Sequence, residues 1–239
     1  MILRIVWFAA ILAIAAITAG VQLDRQTRRT PEIAPTVPEQ FRSAAQLQIV
    51  TSAIEGDDPQ YALAEAKRLV ARRPMPSEHL TLLALASIKA GEAQIGTETI
   101  QYAARRGWRD PVAQEAMLRL AMAAGDMTEA ALRYTALLLR EETQDEVLVE
   151  TAPAIFAETG GPGQQALIDT LVATDRWPST FLRRGLRVMP PPAFADIATG
   201  SMAKGVRYDC RLLEQSVAAL SRRDAAAGNR LAQAVSEQC

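Results

Sequence analysis

An all-α fold built from stacked helical hairpins is what this sequence predicts, and three observations carry it. Glycines stand at Gly56, Gly91, Gly125 and Gly160, at intervals of 35, 34 and 35 residues, and a period near 34 is about the length of one helix–turn–helix unit. Apolar positions recur at three- and four-residue steps, as in Leu80, Leu83, Ala84 and Ile88 or Met117, Leu120, Ala121 and Ala124, which is the spacing of one helix face. Aromatic residues make up only 5% of the chain while alanine is abundant, a composition that suits closely packed helices better than sheet. With 239 residues, 49% of them apolar, the chain is long enough to bury a substantial core. A net charge of −1 gives no global attraction to nucleic acid, and no nucleic-acid partner is expected.

The elements follow in order. Met1–Leu23 (1–23) is interrupted only by Arg4, Thr18 and Gln22. It is a single-pass membrane anchor at the short end of the usual length, or a signal-peptide core at the long end. Ala16-Ile17-Thr18-Ala19-Gly20 offers small residues for cleavage, so both alternatives stand, with the uncleaved anchor as the working reading. Residues 24–38 contain Pro31, Pro35 and Pro38 and read as an extended linker. At about 3.1 Å per residue it would hold the body up to roughly 45 Å from the membrane.

Helices are then expected over 39–55, 59–72, 77–90, 93–106, 111–124, 127–140, 145–158 and 164–174. Pro59, Pro76 and Pro111 sit at first turns, where a proline loses no hydrogen bond. Each marker glycine closes a helix, where positive φ lets the backbone turn back. After residue 175 the period breaks. Pro190-Pro191-Pro192 and the glycines Gly200 and Gly205 interrupt two short helical pieces, and a last hairpin over 209–221 and 224–237 completes an atypical cap, residues 176–239.

Around two of the glycines the repeats resemble the tetratricopeptide repeat (TPR) family. Ala124-Gly125-Asp126-Met127-Thr128-Glu129-Ala130 is similar to that family's turn, with a small alanine five residues after the glycine. Ala90-Gly91-Glu92 matches as well, with Gly96 in place of the alanine, and Pro74 occupies the place of the family's terminal proline. The outer units carry one extra residue, putting Ala62 and Ala166 six after their glycines, and the family's early Trp and Tyr are missing. The resemblance covers about residues 39–175 and implies a right-handed α-solenoid. It also implies a concave groove lined by the first helix of each unit. Ten residues before each marker glycine stand Gln46, Thr81, Glu115 and Glu150, and these four with Arg119 are the groove residues the resemblance implies. Trp108 and Trp177 each lie 17 residues after a marker glycine, where they are expected to seal a hairpin end against its neighbour.

Cys210 begins the first helix of the terminal hairpin and Cys239 ends the second. In an antiparallel hairpin these ends are neighbours, so a Cys210–Cys239 disulfide is expected, which in turn suggests an oxidising compartment such as the bacterial periplasm. Charge points the other way. Arg25, Arg28 and Arg29 outnumber Arg4, and a positive-inside count leaves the body in the cytoplasm. The cysteines and the signal-like amino terminus favour an inner-membrane protein with its body in the periplasm.

No catalytic constellation is apparent. His79 is the sole histidine, which excludes multi-histidine metal sites, and it reads as a surface or packing residue. Glu141, Glu142, Asp145, Glu146 and Glu150 read as a solvated acidic face at a helix start. Gly160-Gly161-Pro162-Gly163 is followed by no lysine and is a helix–helix turn, not a phosphate loop. No metal, cofactor or small-molecule substrate is expected. The leading expectation is a non-catalytic adaptor that binds a protein partner in a cell-envelope complex. The alternatives are an accessory subunit held by its amino-terminal helix, and an enzyme acting on cell-wall glycan, which would need paired carboxylates in a cleft.

Overall fold

The computed structural model describes residues 2–140 and 143–239. Among the described residues the chain is 79% helical without a strand, which places it in the all-α class. It divides into two compact units, Met1–Gly107 and Trp108–Cys239.

The first unit holds α1 (Ile2–Gln26), α2 (Ala44–Glu55), α3 (Pro59–Arg72), α4 (Ser77–Lys89) and α5 (Ala93–Arg106). These helices form where the periodicity placed them, because their starts are chemically marked. Asp58 caps α3 by accepting from the N–H groups of Gln60 and Tyr61, with Pro59 in the first turn. Neighbouring helices pack in sequence, and α2 also touches α4. Val50, Leu63, Ala66, Leu69 and Ala86 form one buried cluster. Gly96 brings α5 against α4, where a Cβ would lie 2.5 Å from the Ile88 side chain and 2.9 Å from the Ala84 carbonyl.

Three expectations in this unit are corrected. The segment 24–38 is not an extended tether. Helix α1 runs on to Gln26, Pro31–Thr36 forms a 3₁₀ turn, and Ala34 and Val37 are buried with Ala45 and Ile49 against Leu23 and Phe41. Prolines set φ near −65°, which suits a 3₁₀ turn as well as an extended chain, and burying the apolar side chains between them selects the turn. The helix expected from residue 39 accordingly begins at Ala44, after a short turn over Glu39–Phe41. Nor does Gly56 use positive φ; its backbone is extended at φ −77°, ψ −178°.

Asp24 explains how α1 is held. Its carboxylate oxygens accept from the N–H groups of Ser43 (2.8 Å), Ala44 (3.1 Å) and Ala45 (2.8 Å), capping α2 from a distant helix. Gly20 lies so close to the Phe41 ring that a Cβ would sit 2.4 Å from it.

The second unit holds α6 (Pro111–Ala123), α7 (Met127–Leu138), α8 (Asp145–Ile155) and α9 (Pro162–Val172). There follow α10 (Pro178–Thr180), a π-helical turn Phe181–Gly185, α11 (Leu186–Val188), α12 (Pro191–Ala203), α13 (Cys210–Arg223) and α14 (Ala225–Gln238). Its core joins Leu118, Leu137, Leu148, Leu167, Phe181, Phe194, Leu213 and Leu231, with Phe181 and Phe194 stacked at 5.1 Å and Tyr134 edge-on to Phe156 at 5.0 Å. The helix before Gly125 ends in a Schellman motif. Gly125, at φ +75°, donates to the Met122 carbonyl and Asp126 to that of Ala121. In the first unit, Gly91 repeats that pattern at φ +88°. The proline run initiates α12 instead of interrupting it, and Gly200 lies inside that helix, where a Cβ would meet Ile168 at 2.7 Å.

The terminal hairpin turns at Asp224, and Cys210 and Cys239 are bridged with their Cα atoms 5.9 Å apart. Closing a loop of 29 residues contributes roughly 3.5 kcal/mol in the chain-entropy account.

Candidate functional site

The five groove residues fall into two groups. Gln46 and Thr81, in the first unit, are buried. Gln46 donates to the carbonyl and carboxylate of Glu65 at 3.2 and 2.7 Å, and the Thr81 hydroxyl donates to the Ser77 carbonyl at 3.3 Å. They are packing residues and leave the candidate set, because the helix face ten residues before the glycine turns inward here.

Glu115, Arg119 and Glu150 are brought together on the surface of the second unit. The Arg119 guanidinium meets Glu115 at 3.0 Å across one turn of α6, and its Nη1 and Nη2 reach both oxygens of Glu150 on α8 at 3.0 and 3.1 Å. The hydrogen bonds to Glu150 and then Glu115 push the guanidinium pKa upward, and Arg119 holds the Glu150 carboxyl below its ordinary value. This triad ties α6 to α8.

An open apolar groove lies elsewhere in the second unit. Trp108, Leu132, Thr135, Ala136, Leu139, Thr170 and Trp177 line a space of about 470 Å³. Residues 132, 135, 136 and 139 follow the i, i+3, i+4, i+7 rule, so this stripe is a second face of α7, beside the core face that carries Ala130, Ala131, Tyr134, Leu137 and Leu138. Trp108 is 51% and Leu132 43% exposed, and the Arg109 guanidinium lies 5.0 Å over the Trp108 ring. Trp108 therefore stands open at the groove, where a sealing role was expected, while Trp177 forms the other wall and is partly buried against the core of the unit. Their equal spacing, 17 residues after Gly91 and Gly160, marked both positions, and the second apolar stripe on α7 was the signal for the rest.

His79 is a packing residue. It is buried, with Nδ1 2.9 Å from the Arg73 carbonyl oxygen. Among the described residues no group of three metal-ligating side chains converges. Of the acidic run, Glu141 and Glu142 lie outside the described residues, while Asp145 pairs with Arg184 at 2.9 Å and Arg187 at 3.4 Å. Arg184 is the polar centre of this unit. From the π-helical turn it also donates to the carbonyls of Leu138 (3.1 Å), Arg140 and Thr143, closing the carboxyl end of α7. Elsewhere in the unit, Lys204 bonds Asp169 at 2.8 Å and lowers its carboxyl pKa. Burial raises the pKa of the Tyr134 phenol and pushes that of Tyr208 up to about 12.

Comparison with protein-family models, with curated proteins and with solved structures finds no match for this chain.

Proposed function

We propose that this chain is a non-catalytic adaptor of TPR-like helical hairpins, anchored in the bacterial inner membrane by α1, with its body in the periplasm. In this reading it binds an extended segment of a protein partner in a cell-envelope complex. The observation that carries the binding role is the open apolar groove walled by Trp108 and Trp177. An open apolar patch marks an interaction surface, and tryptophan is among the residues most enriched at protein-binding hot spots. The anchor rests on α1, which is long and apolar enough to cross a membrane and exposed from Ile2 to Ala19. The oxidising compartment is supported by the Cys210–Cys239 bridge. The envelope setting is an analogy with the family that the repeats resemble.

The test is recovery of partners from native membranes with the full-length protein and with Trp108→Ser/Leu132→Ser, both exposed positions. Loss of a partner at an unchanged melting temperature supports the groove, and undiminished recovery refutes it. The accessory-subunit reading is favoured by the exposed sides of α1 and predicts that the body alone recovers nothing. That truncation has to begin at Gly20. Removing residues 1–38 also removes Asp24, Ala34 and Val37, which are structural parts of the first unit.

A further inference from the structure

The end of α1 and the turn that follows it, residues 27–29, carry two faces with different tasks. Gly20, Leu23, Asp24 and Thr27, spaced i, i+3, i+4, i+7, pack toward the body. Gln22, Arg25, Gln26 and Arg29 repeat that spacing on the exposed side, with Arg28 beside them, and these five line an open recess of about 670 Å³. All five side chains are hydrogen-bond donors. None of the three arginines forms an ion pair among the described residues, and the nearest carboxylate in sequence, Asp24, is engaged with α2.

We infer that Arg25, Arg28 and Arg29, with Gln22 and Gln26, form a binding site for the phosphate of anionic phospholipid headgroups in the leaflet on the body's side. The inference rests on the membrane-spanning reading of α1. On that reading Ile2–Val21 covers about 30 Å at 1.5 Å per residue, the thickness of the hydrocarbon layer, which sets residues 22–29 at headgroup depth. Guanidinium groups bind phosphate oxygens with two parallel N–H bonds, and amide side chains add neutral donors. Because Asp24 and Gly20 fix the opposite face against the body, the helix cannot rotate the arginines away from the bilayer surface without breaking the α2 cap. Bound headgroups would thus also set how the first unit sits on the membrane.

The full-length protein is reconstituted into phosphatidylcholine bilayers, insertion is confirmed by flotation, and trace spin-labelled phosphatidylglycerol or phosphatidylcholine reports lipid contact. A preference of about fivefold or more for phosphatidylglycerol is expected near 0.1 M salt. In Arg25→Gln/Arg28→Gln/Arg29→Gln it should fall to about unity, with flotation and the exchange protection of Ser43–Ala45 unchanged. Equal affinity for both lipids in the inserted wild type overturns the site. So does loss of the preference in phosphate but not in chloride at matched ionic strength, which would mark a free-anion site. A chain that fails to float has lost the membrane reading itself, and the inference with it.

Discussion

Replacing Asp24 by alanine should release α1 from the body while leaving both helices intact. The carboxylate serves three N–H groups at 2.8, 3.1 and 2.8 Å, and Ala44 and Ala45, which supply two of them, are buried. Losing an N-cap costs about 1–2 kcal/mol, and leaving a buried donor unsatisfied costs about 1–3 kcal/mol. These overlap, because the same groups are counted in each, so a local cost near 3 kcal/mol is the working value. At 1.4 kcal/mol per decade, opening of the first turn of α2 becomes roughly a hundredfold more frequent. Hydrogen–deuterium exchange of a peptide covering residues 43–49, in the detergent-solubilised full-length protein, reads this directly. Asp24→Asn keeps one acceptor oxygen and should lose only about 1 kcal/mol, roughly a fivefold change. Alanine-variant protection within twofold of wild type would refute the account of α1 as a docked element and restore a flexible tether.

Three further outcomes follow from backbone conformation and burial elsewhere in the chain. Gly125→Ala should cost about 1–2 kcal/mol in denaturant unfolding, since φ is +75° with no atom within 4 Å of the new Cβ. Gly56→Ala, at φ −77° with only ordinary contacts at 3.5 and 3.6 Å, should instead be neutral or stabilise by up to about 1 kcal/mol. Tyr208 predicts an alkaline effect. Burial raises its phenol to about 12, above the ordinary value near 10. Its contribution is therefore complete below about pH 10 and is lost as pH rises through 12. Tyr208→Phe should flatten the fall of the denaturation midpoint in that window, while Ser201 keeps its bond to the Ala198 carbonyl at 2.9 Å.

Boundaries were legible where the chain carries its own local chemistry. Helices α3 and α5 match the expected ranges 59–72 and 93–106 residue for residue. Pro59 and the Asp58 cap start the first of these, and the turn at Gly91 precedes the second. The Cys210–Cys239 pairing was legible for a similar reason, because it lies within one antiparallel hairpin whose ends must meet. Arg184 was missed because its partners come from residues 137–145, some 40 positions away, and an arginine near a helix end carries no mark of a distant loop.

The sequence by itself determined the helical class, the glycine turns at Gly91 and Gly125 and the apolar amino-terminal helix. These depend on backbone propensity, turn chemistry and the spacing of apolar side chains, all of which act within a few residues. Tertiary structure alone decided which polar positions became interior and which apolar ones stayed open. Gln46 and Thr81 turned inward, Leu132 of the second stripe of α7 remained open beside Trp108, and Asp24 was drawn from an expected linker into the cap of α2. Burial is a property of what packs against a residue, and that partner lies elsewhere in the chain.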